Sequence, residues 1–154
     1  MPATKSHVSH VVLDGEKGNT WEENTADILE GHGQVWSYVK NDRLGFDIPY
    51  VHEGRSHEYV PDFLVQMVAQ PDGIERTLII EVSGGRKDQE LRAVKAQTAR
   101  DRWCAAVNNH GGWGRWAYLE IDDMTFAAKQ INQALDALAS PVLSHDAPVL
   151  GASA

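Results

Sequence analysis

Two carboxylates stand out by position in this chain of 154 residues. Asp62 follows Pro61 where one extended segment gives way to the next, and Glu81 lies near the end of the hydrophobic run TLIIEV at 77–82, just before Gly84 and Gly85. A carboxylate near the end of a buried strand is poorly placed for solvation unless a cation or a hydrogen-bond donor meets it. If the two segments pair through Pro71-Asp72-Gly73, a turn by composition, both acids approach the same sheet edge. Two hard oxygen ligands, a backbone carbonyl and water describe a Mg²⁺ site suited to phosphodiester hydrolysis. The dication lowers the pKa of an attacking water and offsets charge building on the phosphorus centre. A lysine close by would orient that water or stabilise the same charge.

Each acid also has a plainer reading. Asp62 after a proline serves as a turn or cap residue in many chains, and Glu81 can pair with Arg86 or Arg92 at a strand end. Glu58, three residues before the proline, is either an auxiliary ligand or an exposed strand residue. His7 and His10 fall in the N-terminal tail and His52 and His57 in a loop, with no third ligand at HExxH-type spacing. Asn108-Asn109-His110 reads as a helix-terminating turn, and Gly84-Gly85-Arg86-Lys87 lacks the spacing of a nucleotide-phosphate loop. Trp103, Trp113, Trp116 and Tyr118 are core aromatics or base-stacking surfaces.

The elements that must position the two acids form a mixed α/β pattern. His10 to Leu13 is a short apolar run. Residues 21–30 read as a helix stopped by Gly31. Val35, Tyr38 and Val39 make a short element ending at Asn41-Asp42, and 44–50 looks extended. Strand candidates follow at 58–60, 63–69 and 77–82, the last being the strongest. From Asp88 to about Asn108 the period becomes helical. At about 100° per residue, Leu91, Thr98, Ala99 and Ala106 share a face with Trp103 at its edge. Lys95 and Arg102 fall on that same core-facing stripe, where a basic residue is unusual. A strand at 116–121 and a closing helix at 124–138, with Met124, Ile131, Leu135 and Leu138 on one stripe, complete the pattern.

Composition narrows the class. With 42% apolar and 23% charged residues the chain is not wholly disordered, and its length suits one domain. The expected division is a flexible N-terminus over 1–6, a domain over 7–139 and a loose tail over 140–154. No apolar run is long enough for a bilayer, no secretory h-region is visible near the start, and Cys104 is the lone cysteine, which fits a cytoplasmic location. Fourteen basic against 22 acidic side chains give a net charge of −8. A standalone DNA binder is usually basic, so action on nucleic acid needs a local basic strip or a partner that supplies the grip.

PDF at 61–63 followed by EVSGG at 81–85 resembles the PD-(D/E)xK nuclease superfamily. YVKNDRLGFDIPY (38–50), EYVPDFLV (58–65), LIIEVSGG (78–85) and RWCAAVNNHGGWGRWAYLEI (102–121) look like the C-terminal endonuclease domain of type III restriction enzyme Res subunits and related helicase-linked restriction proteins. The resemblance covers roughly residues 7–131. It implies an α/β restriction-endonuclease-like core, a central mixed β-sheet with helices on both sides. It further implies a Mg²⁺-dependent DNA endonuclease in which Asp62 and Glu81 hold the metal and the Val82 carbonyl completes the site. Ser83 stands where the ExK lysine belongs, and serine carries no charge. Lys87, which the Gly84-Gly85 turn can fold back over the strand end, and Lys95, on the core-facing side of the next helix, are the substitutes, with Lys87 narrowly preferred. The resembling enzymes work with a helicase/translocase motor and a DNA methyltransferase subunit. This sequence carries no motor motif and reads as a detached nuclease module or a gene fragment. The alternatives are a catalytically weak or inactive nuclease-fold docking module, or a relic.

Overall fold

The computed structural model of the protein describes residue 5, 21–42, 44–83 and 89–141. The apolar run at 10–13, Lys87 with the glycine turn before it, and most of the two expected tails lie outside the described residues.

Helix α1 (Trp21–Gly31) opens with Glu22 and Glu23 in its first turn, where acidic groups oppose the helix dipole, and buries Thr25, Ala26 and Leu29. Strand β1 (Val35–Lys40) follows. The hairpin of β2 (Ile48–His52) and β3 (Arg55–Tyr59) comes next, then β4 (Phe63–Met67) and β5 (Arg76–Val82). The four-stranded sheet has the order β1-β4-β5-β6, with β6 at Arg115–Ile121. β4 pairs antiparallel with β1 and β5, while β5 and β6 run parallel, so the sheet is mixed. The β2–β3 hairpin is a separate two-stranded sheet. Between 44 and 50 only the last three residues are strand. Gly45 turns the chain with φ 76° and leaves Leu44 exposed, which delays the strand to Ile48.

Alternation along the strands sends side chains to two cores. On one face Phe63, Val65, Leu78, Ile80 and Ile121 pack with Ala26 and Leu29 of α1. Ala127, Ile131, Leu135 and Leu138 of the closing helix α4 (Ala127–Ala139) cover the same face. Asp123 starts that last segment by accepting from the Thr125 N–H at 2.8 Å. On the other face Ile79 and the partly buried Leu64, Trp116 and Tyr118 meet Ile48, Tyr50 and Tyr59 of the hairpin, with Ala99 and Cys104 above them. β5 is buried on both sides, which is why it reads as an unbroken apolar run.

The helical stretch after the glycines is continuous but not uniform. It runs as α2 (Gln89–Gln97), a π-helical turn (Thr98–Cys104) and α3 (Ala105–His110). The π turn inserts an extra residue and rotates everything beyond it. Ala99 and Cys104 are therefore buried, whereas Arg102 and Ala106, which a uniform 100° step assigns to the core face, are exposed. The helix ends at Gly111, left-handed with φ 77°, and Asn108 brackets the backbone of Trp116 from both sides. Residues 108–110, expected as the terminating turn, are thus still helical, and the turn begins after them at Gly111.

At the end of the sheet away from the acids, Arg76 is buried at 1% exposure. It donates from Nε to the Leu138 carbonyl at 2.6 Å and bidentately to Asp72 at 2.8 and 2.6 Å, joining the β4–β5 turn to the end of α4. Among the described residues no helix is long and apolar enough to cross a membrane.

Candidate functional site

The β4–β5 register pairs Phe63 with Ile80. One step further along the same antiparallel ladder, Asp62 comes opposite Glu81. Cross-strand neighbours share a face, so the turn at 71–73 does what its composition predicts and brings the two acids together. Asp62 is held twice at its place: its carbonyl accepts the Asn41 N–H at 2.7 Å, and its carboxylate Oδ2 accepts the Val82 N–H at 2.7 Å. Val82 therefore enters the site through its amide.

Their electrostatics show how close the acids are. Burial, and after it the negative charge of Asp62, push the Glu81 carboxyl up to about 8, against the pull of the Tyr59 hydroxyl and the Lys95 ammonium. Burial also raises Asp62, with Glu22 adding to the effect, while the Val82 amide and Lys40 oppose it. Two buried carboxyls facing one another disfavour joint ionisation, so both are held above the ordinary carboxylate range. Oε2 of Glu81 is buried and has no hydrogen-bond partner among the described residues.

Tyr59, the last residue of β3, hydrogen-bonds through its hydroxyl to that of Tyr118 at 3.2 Å. Above it lies Lys95, whose Nζ is 5.2 Å from the centre of the Tyr59 ring and 5.9 Å from that of Tyr50. Lys95 makes no ion pair among the described residues. Two aromatic faces hold its ammonium where Glu81 feels its charge. Lys95 was thus rightly placed by the helical wheel, because it precedes the π turn.

Ser83 is engaged elsewhere. Its hydroxyl donates to Glu120 Oε1 at 2.7 Å, and Arg92 reaches the same oxygen from Nε at 2.8 Å and from its second nitrogen at 2.7 Å. Glu120 is the register partner of Glu81 on β6. Arg92 therefore neutralises Glu120, the acid across from Glu81 on the neighbouring strand. Glu58 is exposed on β3. His52 and His57 sit on the strands of the hairpin and not in a loop; His57 stacks on Tyr50 with centroids 5.2 Å apart.

Sequence reasoning missed Glu22 and Lys40. Glu22 comes from the first turn of α1, and its carboxylate pairs with Lys40 Nζ at 2.9 Å beside Asp62. A lysine ending a strand and a glutamate opening a helix both read as solvent-facing, and only the folded chain brings them to Asp62. Tyr59 carried a signal, since it alternates with the exposed Glu58 and so had to point inward.

Comparison of the chain with family models, with curated proteins and with solved structures finds no match to any of them.

Among the described residues no group of three or more histidine, cysteine, aspartate or glutamate side chains is arranged to hold a metal ion. The pair Asp62 and Glu81 nonetheless fits a hard dication. It offers two carboxylates, an orphaned buried oxygen on Glu81 and a retained proton that a cation would displace. Mg²⁺ keeps several waters and is commonly bound by one or two carboxylates plus substrate phosphate, so two protein ligands suffice. Cys104 takes no part: burial pushes its thiol up to about 12, which leaves it inert.

Proposed function

We propose that this chain is a Mg²⁺-dependent DNA endonuclease module of the PD-(D/E)xK kind, with a restriction-endonuclease-like core. In this reading it corresponds to the cleavage domain of a type III restriction enzyme Res subunit. The observation that carries the reading is the buried cross-strand pair Asp62 and Glu81 with the Lys95 ammonium beside it.

Asp62 and Glu81 would hold the metal, with the Val82 carbonyl the backbone candidate, and a bound dication supplies Lewis-acid stabilisation of the phosphate and acidifies water. The remaining work falls to the chain's own groups. The Val82 N–H fixes the Asp62 carboxylate, and Tyr59 orients Glu81. Glu81 releases its proton when the site is charged. Lys95, poised over Tyr59 and Tyr50, offers its ammonium to a phosphate oxygen or to the attacking water, the role that Ser83 cannot fill. Lys87 remains the second candidate for that role. A helicase/translocase motor would supply the DNA affinity that a net charge of −8 denies the module, and a methyltransferase subunit the choice of sequence. Such a system acts on DNA in the cytoplasm.

A second reading, a nuclease fold kept for docking to a restriction or helicase partner, is favoured by Ser83, whose hydroxyl bonds Glu120. Nicking of supercoiled plasmid in Mg²⁺ or Mn²⁺ separates the two. Hydrolysis that disappears in Asp62→Ala and Glu81→Ala, and falls at least a hundredfold in Lys95→Met or Lys87→Met, supports the enzyme. No metal-dependent nicking above that of both acid variants, with retained binding to a helicase partner, supports docking.

A further inference from the structure

The basic stripe seen in the sequence is only half used by the acid pair. Lys95 faces it, whereas Arg102 is exposed seven residues on and makes no ion pair or side-chain hydrogen bond among the described residues. Arg102 borders a groove of about 290 Å³ between the β2–β3 hairpin and the helical stretch. The hairpin contributes Tyr50, Val51 and Ser56, and the helix contributes Thr98, Arg102 and Trp103.

Three observations make this groove a built site. The first is its helical wall, which lies wholly within the π turn. In an α-helix Trp103 would stand about 140° around from Thr98. A π turn bonds residue i to i+5, so Trp103 rises above Thr98 and shares its side with Arg102. Second, Trp103 is a rigid platform, gripped edge-on by Phe46 at 5.3 Å and Trp116 at 5.0 Å between ring centres. Third, Tyr50 is common to both places, lining the groove and carrying Lys95 at 5.9 Å. The groove therefore shares an aromatic ring with the lysine that faces the acids. The helical stretch carries four basic against two acidic side chains in a chain that is strongly acidic overall, and so provides the local basic strip.

We propose that this groove is a subsite for one unpaired nucleotide of a DNA strand, its base against Trp103 and its phosphate on Arg102. The inference rests on the nuclease reading, for it sets the direction in which the strand leaves the acids. A planar base meeting an aromatic wall is recognised without sequence preference, and an exposed guanidinium suits a phosphate. A duplex, with its bases stacked inside, offers Arg102 a phosphate but gives Trp103 no base.

The test is fluorescence anisotropy of a labelled dT12 oligonucleotide with the full chain, at low salt in EDTA so that no strand is cut. The expected result is binding at least fivefold tighter than to a 12-base-pair duplex or to an abasic 12-mer, with quenching of tryptophan emission. Arg102→Ala should weaken dT12 binding about tenfold. Ser56→Trp, which narrows the groove from the hairpin side, should weaken it similarly. Equal binding by wild type, Arg102→Ala and Ser56→Trp overturns the proposal. So does no binding of dT12, equal binding of duplex, or a U12 oligonucleotide that binds tenfold tighter. Arg102-dependent dT12 binding without plasmid nicking keeps the subsite and removes the hydrolytic reading. Nicking with dT12 binding indifferent to both substitutions removes the subsite alone.

Discussion

Replacing Glu81 by Gln should make the metal-free protein more stable at high pH. The carboxyl of Glu81 is raised from 4.5 to about 8 in the folded chain. Between those values the folded state holds a proton that the unfolded state has released, so stability falls as pH rises. The loss begins near the unfolded value and is complete once pH passes the folded one. Each pH unit across that window is worth about 1.4 kcal/mol, giving a ceiling near 5 kcal/mol. Partial access of water to the half-buried site reduces this to about 2–4 kcal/mol. The Gln side chain keeps the volume and presents an N–H to Asp62 where the protonated acid presents an O–H. Glu81→Gln should therefore match wild type at pH 5 and exceed it by about 2–4 kcal/mol at pH 9. Urea unfolding in EDTA at pH 5, 7 and 9 reads the difference as a shift in midpoint at constant slope. Wild-type stability that is flat or rising over this range, or a Gln variant weaker than wild type at pH 9, would refute the argument that the two acids crowd one another.

Millimolar Mg²⁺ should raise the wild-type melting temperature at pH 8, with a gain of about 2.7 kcal/mol at a hundredfold excess over Kd, and should do nothing for Asp62→Asn. Thermal unfolding with and without the ion checks this. Gly114→Ala should cost about 2–4 kcal/mol, because Gly114 has φ 76° and a Cβ there collides with the Glu75 carbonyl oxygen; chemical denaturation measures it. Arg76→Ala should cost about 3 kcal/mol or more by orphaning the Leu138 carbonyl and opening a void at the hairpin turn. Hydrogen exchange should locate the loss at the β4–β5 turn and the end of α4.

Much of the site is local in sequence. Pro71-Asp72-Gly73 and the apolar runs on either side dictate a hairpin, and the hairpin fixes the pairing that sets Asp62 across from Glu81. What escaped depends on longer range or on a broken period. Glu22 and Lys40 reach Asp62 only after α1 packs on β1 and β4, and no spacing rule links them. The exposure of Arg102 follows from a single extra residue in a helix, which a wheel of constant step cannot represent. The stretch at 44–47 reads as strand by its apolar content, but Gly45 makes it a turn.

Ser83 and Glu120 also bear on attempts to rebuild the motif. A lysine grafted at position 83 would start beside the Glu120 carboxylate, the acceptor that the serine hydroxyl already uses. Its ammonium would compete with the Arg92 guanidinium for that oxygen and be drawn sideways across the strand. Restoring the textual pattern would thus leave the acid pair no better served, and an engineer would have to neutralise Glu120 in the same step.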